Sequence, residues 1–307
     1  MARKTLLAAL FILLVGLFFG RATSVYLDQL DGIKKQITKV DLPLSMDDIY
    51  GDMRSALKSP IFISSLMAGD VFIKDWISSG EGEPEPMIRY LSDIQRRYKT
   101  LSAFLVSDAT KLYYHPTGLR QTVNEDREED AWFFRVKNLD KPYEVNIDFD
   151  YQSSDLLTIF INYRVLNFEG EFIGAAGVGV EVDAAHDFIE HSAKRYKHDV
   201  YFLDPKGAVR LTGSKTQRRF ANLYDFDPLK SVAKFLLDGS MNAYSFKQNG
   251  NTHYVLARYV PDFNWIILVE KSDGEMQSDV FRAYMIEVMF GLLLIVIAVL
   301  YVKTDSD

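Results

Sequence analysis

Cysteine is absent from the 307 residues of the chain. Its absence excludes disulfide bonds, thiolate catalysis and cysteine-ligated metal sites. Histidine is scarce, with five residues, and only His186 and His191 lie close together in one expected helix. Side chains at this i, i+5 spacing do not share a helix face. The sequence therefore predicts no metal site, and nothing in it indicates a cofactor.

Catalytic motifs are missing as well. The sequence contains no Gly-x-Ser-x-Gly nucleophile elbow and no glycine-rich phosphate loop, which are local signatures of hydrolases and of nucleotide-binding enzymes. There is no basic excess either, because 35 Lys and Arg residues are outnumbered by 42 Asp and Glu residues, for a net charge of −7. We therefore predict that the chain is not an enzyme and has no nucleic-acid partner, and that it favours a neutral or cationic ligand.

Two long apolar runs are present, one near each end. Residues 5–20 carry no charge and follow Arg3 and Lys4, and residues 283–302 are interrupted only by Glu287 and precede Lys303. Each run is close to the roughly 20 residues that span a bilayer. Basic residues on the outer flank of both runs place both termini in the cytoplasm, with residues 23–282 outside. We expect Glu287 at the outer membrane interface, close to the start of the helix, and a functional intramembrane carboxylate is the alternative.

A cleaved signal peptide is the alternative reading of the first run, because a basic start and a short apolar core fit that too. Residues 18–22, Phe-Phe-Gly-Arg-Ala, make a poor cleavage site. We therefore expect the run to be retained as a membrane anchor, which makes the protein two-pass.

The segment after the first run has a helical apolar pattern. A helix from residue 23 is expected to be interrupted at Pro43. A second helix is expected to begin at Ser45, whose spacing to Asp48 has the form of a capping box, and to end before Pro60. Further helices are predicted over residues 61–79 and 87–99, separated by a polar turn at 80–86 to which we assign no packing role.

Ten short runs rich in β-branched and aromatic residues then predict strands, because each is bounded by turn-forming residues. Those of the first group cover residues 102–106, 112–115, 143–148, 157–165 and 173–180. Those of the second group cover residues 199–203, 208–211, 243–247, 254–259 and 265–270. We predict an α+β fold of two modules in series, each with an antiparallel sheet and helices on one side.

Several motifs, taken in order, resemble the double Cache sensor domain, a tandem PAS-like domain of bacterial membrane receptors. They are Trp132-Phe-Phe-Arg135, Tyr143-Glu-Val-Asn-Ile-Asp148, Phe160-Ile-Asn-Tyr-Arg-Val165, Gly174-Ala-Ala-Gly-Val-Gly-Val180, Val200-Tyr-Phe-Leu-Asp-Pro-Lys-Gly207 and Arg258-Tyr-Val-Pro-Asp-Phe-Asn-Trp-Ile-Ile-Leu-Val-Glu270. The resemblance covers nearly all of the segment between the apolar runs. It is greatest to the sensor parts of membrane diguanylate cyclases and of some histidine kinases.

The resemblance implies a division of the chain and a role for each part. The parts are a transmembrane helix (5–22), a helical stalk (23–59), a membrane-distal Cache module (60–195), a membrane-proximal Cache module (196–275), a second transmembrane helix (283–302) and a cytoplasmic tail (303–307). In such receptors the distal module binds a small molecule and the proximal module couples to the second membrane helix. We therefore expect a sensor in the bacterial inner membrane, with residues 23–282 in the periplasm.

The resemblance also bears on partners. The long N-terminal helix suggests a homodimer. The chain contains no cyclase or kinase output domain, which leaves three alternatives: the sensing part of a larger protein, a stand-alone sensor that acts through a separate cytoplasmic or membrane signalling partner, or a truncated remnant. A function from another class stays open: the outer modules could dock a periplasmic binding protein or a neighbouring receptor without any small ligand.

The candidate ligand site lies between residues 130 and 182. A small-molecule site needs apolar walls and a few placed polar groups. Aromatic residues and polar residues of this stretch make up the candidate set: Trp132, Phe133, Tyr143 and Tyr163 as walls, with Arg135, Asn146, Asp148, Asn162 and Asp130 as polar groups. Alternation along a strand puts Tyr143 and Asp148 on opposite faces. The alternative reading assigns these aromatics to the core and the arginine to an internal ion pair.

The family resemblance narrows the range of expected ligands. In amino-acid-sensing double Cache domains, an arginine two residues before the tryptophan holds the carboxylate and an aspartate on the last distal strand holds the amine. The matching positions here are Asp130 and Gly179, so a plain α-amino acid is not expected. Gly174, Gly177 and Gly179 leave part of the sheet without side chains, so that backbone or a bound molecule can approach closely.

Overall fold

A computed structural model describes residues 2–149, 157–181, 190, 192–213, 219–261 and 264–304. It begins with a nearly unbroken run of helix. The elements are α1 (Ala2–Gln36), a π-helical turn (Ile37–Asp41), α2 (Leu42–Gly69), α3 (Val71–Ser78) and α4 (Glu85–Tyr98). By length and composition two helices could cross a membrane, Ala9–Gly69 and Gly274–Leu300.

The predicted helix breaks at Pro43 and Pro60 are wrong. Pro43 is the second residue of α2, directly after the π-helical turn, in which the Leu42 backbone N–H bonds the carbonyl of Ile37. The wider hydrogen bonding of this turn accommodates the proline, so the helix continues through it. Pro60 lies inside α2, where Leu57 and Ile63 on either side of it are buried. Packing of these neighbours keeps the helix intact although Pro60 removes one backbone hydrogen bond.

Two further local predictions also fail. Ser45 does not cap a helix, because it lies within α2 and its Oγ is 2.8 Å from Nε2 of His198. The predicted helix 61–79 is divided at Asp70, whose carboxylate accepts a hydrogen bond of 2.9 Å from the Phe72 backbone N–H and so starts α3. Asp70 thus acts as the N-cap of α3, and α2 ends just before it.

The first sheet has six strands, and each neighbouring pair is antiparallel. The strands are β1 (Ser102–Ser107), β2 (Leu112–His115), β3 (Gly118–Thr122), β4 (Tyr143–Phe149), β5 (Leu157–Leu166) and β6 (Phe172–Glu181), in the order β3-β2-β1-β6-β5-β4. The predicted strands are confirmed, whereas β3 was not predicted because Gly-Leu-Arg-Gln-Thr has few strand-forming residues. A 3-10 turn (Glu128–Asp130) and helix α5 (Ala131–Lys137) precede β4.

The two faces of this sheet bury different clusters. The α2–α4 face packs against the helices α2, α3 and α4, in a core that includes Met67, Ile73, Trp76, Leu91, Leu105, Tyr114 and Val178. The opposite face, called the α5 face below, packs against helix α5 in a core of Phe104, Val106, Tyr113, Val123, Phe133, Val136 and Ala175. Alternation along the strands separates the two sets of side chains.

The polar turn at residues 80–86 does have a packing role, so that prediction is wrong. Glu81 adopts a positive φ of 52°, and its carboxylate accepts hydrogen bonds from the hydroxyls of Ser107, Thr110 and Tyr114. Burial and the hydrogen bond to Glu81 raise the pKa of Tyr114 above its usual value. One carboxylate therefore connects the α3–α4 turn to β1 and β2.

The second sheet has five strands in the order β8-β7-β11-β10-β9. They are β7 (Asp199–Leu203), β8 (Val209–Thr212), β9 (Ala243–Gln248), β10 (Asn251–Val260) and β11 (Trp265–Ser272), accompanied by short helices α6 (Asp227–Lys230) and α7 (Ala233–Leu237). A long helix, α8 (Gly274–Thr304), follows β11. Two antiparallel sheets with a long N-terminal helix confirm the predicted α+β class.

Spatial clustering of residues divides the chain into two compact units. One comprises Met1–Leu44, Ala243–Leu256 and Glu270–Asp307, and the other comprises Ser45–Asn242 and Ala257–Val269. The module boundaries given above, at residues 60, 195 and 275, remain predictions.

Candidate functional site

The strand register places polar and aromatic side chains in two rows across the α5 face. The first row is Ser102, Gly179, Phe160 and Asn146, which are successive partners on β1, β6, β5 and β4. The second row is Phe104, Gly177, Asn162 and Glu144, in the same strand order. Neighbouring rows on one sheet face are close enough for side chains to touch diagonally. A polar group therefore lies next to an aromatic ring at several points on this face.

The glycines of β6 make room for these rings. A Cβ atom on Gly179 would lie 2.8 Å from Cγ2 of Thr158 and 3.0 Å from Cε1 of Phe160. On Gly177 it would overlap the backbone oxygen of Ile161 and lie 3.2 Å from Cζ of Phe104. The close approach predicted from the glycine run is thus made by the side chains of β1 and β5, which lie over the β6 backbone.

Trp132 covers one side of the face. Its ring centroid lies 5.5 Å from that of Phe104 and 6.5 Å from that of Tyr113, in the edge-to-face geometry that aromatic pairs favour. Trp132 and Phe160 are partly exposed, whereas Phe133 is fully buried. The first two can therefore contact a ligand from solvent, and Phe133 belongs to the core beneath them.

Two amides and one hydroxyl provide hydrogen-bonding groups on the same face. Asn162, which is buried, donates from Nδ2 to Oδ1 of Asn146 at 2.6 Å. Ser102 is fully buried, and its Oγ has no hydrogen-bond partner among the described residues. A buried polar group without a partner costs about 1–3 kcal/mol. Such a cost makes Ser102 a point where a ligand would gain by supplying a partner.

Several charged groups near α5 are paired with one another, whereas Arg164 on β5 packs on the ring of Phe172 and its buried Nε has no hydrogen-bond partner among the described residues. Arg135 lies 2.7 Å from Glu144, and the buried carboxylate of Asp130 lies 2.5 Å from Arg127. Asp130 also accepts hydrogen bonds from Nε2 of Gln121 and from the backbone N–H of Asn124, at 3.1 and 2.8 Å. Asp130 therefore holds the loop before α5 together, and Arg135 is engaged by Glu144.

A second cluster of charge lies at the other end of α5. The carboxylate of Asp108 is 2.7 Å from Nζ of Lys111 and 2.9 Å from Nζ of Lys137. Burial alone would raise the pKa of Asp108, but hydrogen bonds from Lys111 and Lys137 outweigh it and lower that pKa below its usual value. Both ammonium groups are therefore engaged by this carboxylate.

The predicted site residues are divided between the two faces. Tyr143 and Tyr163 stack with ring centroids 5.3 Å apart on the α2–α4 face, opposite the face that carries Asn146 and Asn162. Asp148 lies on the α5 face, as the partner of Thr158 on β5. The structure thus brings Trp132, Asn146 and Asn162 to one face, and the two tyrosines to the other.

Sequence reasoning missed Ser102, Phe104 and Phe160. Alternation within residues 102–106 places Ser102 and Phe104 on one face. That signal alone did not identify them, because their relation to Gly177 and Gly179 depends on the pairing of β1 with β6.

No protein-family model matches the chain. Among solved structures, it is similar to the ligand-binding domain of the Campylobacter jejuni chemoreceptor Tlp3 in complex with L-valine, at 16% identity and a TM-score of 0.56, over 85% of this chain and 97% of that one. The sensory domain of Tlp3 with isoleucine bound matches at 15% identity and a TM-score of 0.55, over 85% and 97%. The sensor domain of the V. cholerae histidine kinase DctB matches at 13% identity and a TM-score of 0.52, over 78% and 98%.

These three neighbours are sensory domains rather than catalytic ones, and their matches run through both sheets of the present chain. Together with the motifs and the two antiparallel sheets, they show that the chain has the fold of the double Cache sensor domains of bacterial receptors.

Proposed function

We propose that the chain is a membrane-anchored extracytoplasmic sensor that binds a small molecule on the α5 face of the six-stranded sheet. The fold is that of sensory domains, and the Tlp3 domains that it resembles carry isoleucine or L-valine. The two apolar helices fit a two-pass protein of the inner membrane. Residues 60–195 would form the distal, ligand-binding module.

One observation carries the placement of the site: the buried Oγ of Ser102 lacks a hydrogen-bond partner among the described residues. It lies in the same row as Asn146, next to the row that contains Asn162. A ligand that bonds Ser102 would remove a cost already present in the free protein. Trp132 and Phe160, both partly exposed, would provide its apolar contacts.

The charges suggest which ligands fit. The four cations described above, Arg127, Arg135, Lys111 and Lys137, all contact carboxylates of the protein. A ligand carboxylate that bound one of these four groups would have to break its pair, which is costly where the partner is buried. Arg164, also on the α5 face, contacts the ring of Phe172 and the backbone oxygen of Lys137 instead of a carboxylate. We therefore propose a neutral or cationic polar ligand with an apolar or flat part.

Signalling would follow from a shift between two conformations. A ligand shifts such an equilibrium only by its differential affinity for the two states. We propose that the bound state changes the distal module and, through residues 196–275, helix α8, in a homodimer that assembles along its N-terminal helices. The output would be of the cyclase or kinase type, in another domain or in a separate signalling partner.

Thermal unfolding of the full chain in detergent micelles tests the proposal. Amines, amino acids, carboxylates and nucleobases are added separately. A ligand at a hundred times its dissociation constant adds about 2.7 kcal/mol of stability, or roughly 5–10 °C for a protein of this size. We expect amines or nucleobases to give such a shift and carboxylates to give none. A shift with carboxylates alone would contradict the proposed ligand chemistry, and no shift with any class would contradict the sensor.

A second candidate function, docking of a periplasmic protein, is favoured by exposed apolar side chains. Phe62 and Phe168 are 62% and 64% exposed, and Leu66 and Val71 are also exposed. Exposed apolar residues of this size mark interaction surfaces when they are contiguous. A Phe62→Asp variant would abolish signalling under the docking hypothesis, and it would leave both signalling and the thermal shift unchanged under the sensor hypothesis.

A further inference from the structure

Arg21 and Glu287 lie at the same level on two helices that pack against each other. Oγ1 of Thr23 is 3.2 Å from the hydroxyl of Tyr284, and a Cβ on Gly291 would lie 2.5 Å from the ring of Phe18. Because α1 and α8 run in opposite directions, Glu287 falls between these two contacts on α8, as Arg21 does on α1.

The distance of each charge from the lysine at the cytoplasmic end of its helix independently gives Arg21 and Glu287 the same depth in the membrane. Arg21 follows Lys4 by 17 residues, and Glu287 precedes Lys303 by 16 residues. At a rise of about 1.5 Å per residue, the two charges lie about 25 and 24 Å from the basic residues at the cytoplasmic boundary. The hydrocarbon core is about 30 Å thick. Both charges therefore lie about one helical turn inside its outer edge.

Neither charge is paired with another residue that the structure describes. Both side chains are exposed, and neither makes a hydrogen bond or ion pair to another described residue. Arg21 is two positions from Phe19 and from Thr23, so it lies on the side of α1 away from α8. An unpaired charge in the hydrocarbon region is costly, by about 3 kcal/mol at the centre on insertion scales and by less towards the edge.

We propose that two copies of the chain pair these charges reciprocally, Arg21 of each with Glu287 of the other. A two-fold axis along the membrane normal keeps every residue at its own depth, so a reciprocal pair requires equal depths, which Arg21 and Glu287 have. In a four-helix array whose two α1 helices are nearest the axis, each α1 has its own α8 on one side and the α8 of the other copy on the far side, which is the side that carries Arg21. A second copy supplies both missing partners at once. The proposal rests on the membrane placement in the proposed function.

Cysteine cross-linking tests it, because the chain has no cysteine of its own. Two copies with different tags, one with Arg21→Cys and one with Glu287→Cys, are expressed together in membranes and treated with a bismaleimide reagent, because an Arg–Glu pair separates the Cα atoms by more than the roughly 4.4–6.8 Å that a disulfide spans. We expect a cross-linked heterodimer. The control pairs are Leu17→Cys with Glu287→Cys, one turn deeper, and Arg21→Cys with Ile286→Cys, one residue around α8. Equal cross-linking in all three pairs, or none in the first, would overturn the inference.

Charge reversal supplies the second measurement, by energy transfer between labelled full chains in liposomes. We expect Arg21→Glu or Glu287→Arg alone to raise the dimer dissociation constant about tenfold, and the double variant to return it to within about threefold of the wild type. Additive losses in the double variant would overturn the pairing. Recovery of the wild-type chain in the soluble fraction would refute the membrane placement, whereas a membrane-bound chain that fails both tests refutes this inference alone.

Discussion

Ser102→Ala is expected to stabilise the free protein while weakening ligand binding. The Ser102 hydroxyl is fully buried and has no partner among the described residues. A buried hydroxyl left unsatisfied costs about 1–3 kcal/mol. Removing it relieves that cost, and the void left by one oxygen atom is small. We expect the free energy of unfolding of the variant to be about 1–2 kcal/mol higher than that of the wild type, and its melting temperature to be roughly 2–8 °C higher.

Ser107→Ala on the same strand is the matched control. Ser107 is equally buried, but its hydroxyl donates to the carboxylate of Glu81. Removing that donor weakens a charge-assisted hydrogen bond, so we expect a loss of about 1.5–3 kcal/mol. The two substitutions delete the same atom from the same strand and should change stability in opposite directions.

Urea unfolding of the full chain in detergent, followed by circular dichroism, measures both effects without added ligand. If Ser102→Ala lowered the free energy of unfolding as much as Ser107→Ala does, the Ser102 hydroxyl would be satisfied in the folded protein. A ligand would then have no unpaired Ser102 hydroxyl to bond.

Three further predictions follow from other contacts. Gly179→Ala brings a Cβ to 2.8 Å from Cγ2 of Thr158, and we expect it to lower the free energy of unfolding by about 1–3 kcal/mol. Gly239→Ala is the control for backbone strain without a clash, because Gly239 has a φ of 77° and a Cβ there would have no atom within 4 Å. Lys271→Met leaves the carboxylate of Asp41 without its 2.5 Å partner in a site where both side chains are under one-fifth exposed. Denaturant unfolding should show a free energy of unfolding lower by about 2–4 kcal/mol, and Asp41→Asn added to this variant should restore part of it. The lowered pKa of Asp108 contributes stability that is present above its unfolded pKa near 3.8 and is lost as pH falls through the lower folded pKa. Asp108→Asn should therefore flatten the acid limb of the stability–pH curve below about pH 4. An unchanged limb would contradict the ion pairs of Asp108 with Lys111 and Lys137.

The strands of the distal sheet could be predicted because local sequence alone specifies them. Tyr143–Phe149 and Leu157–Leu166 alternate residue types in runs rich in β-branched and aromatic residues, and alternation determines which residues share a face. The helix breaks at Pro43 and Pro60 were wrong because a π-helical turn accommodates Pro43 and buried neighbours keep the helix intact at Pro60. The role of Glu81 could not be read from the sequence, because its partners on β1 and β2 come together only in the fold.

The candidate site could be predicted only in part, for a similar reason. Trp132, Asn146 and Asn162 were selected by type and lie on one face, but Tyr143 and Tyr163 lie on the other. The separation of Tyr143 from Asp148 follows from alternation within one strand. The relation of Ser102 to Gly179 depends on the register between two strands, and the two residues are 77 positions apart in the chain. Residue type indicates chemistry, whereas register decides which residues meet.

Ligand affinity of matched variants tests the central claim most directly. Isothermal titration of the full chain with the compound that gives the largest thermal shift would compare the wild type with Trp132→Ala, Ser102→Ala and Tyr143→Phe, each in a form that still unfolds cooperatively. We predict a dissociation constant raised at least about tenfold, or 1.4 kcal/mol, for the two α5-face variants and unchanged within about threefold for Tyr143→Phe. Equal affinity in all four proteins, or a loss confined to Tyr143→Phe, would contradict a ligand site on the α5 face.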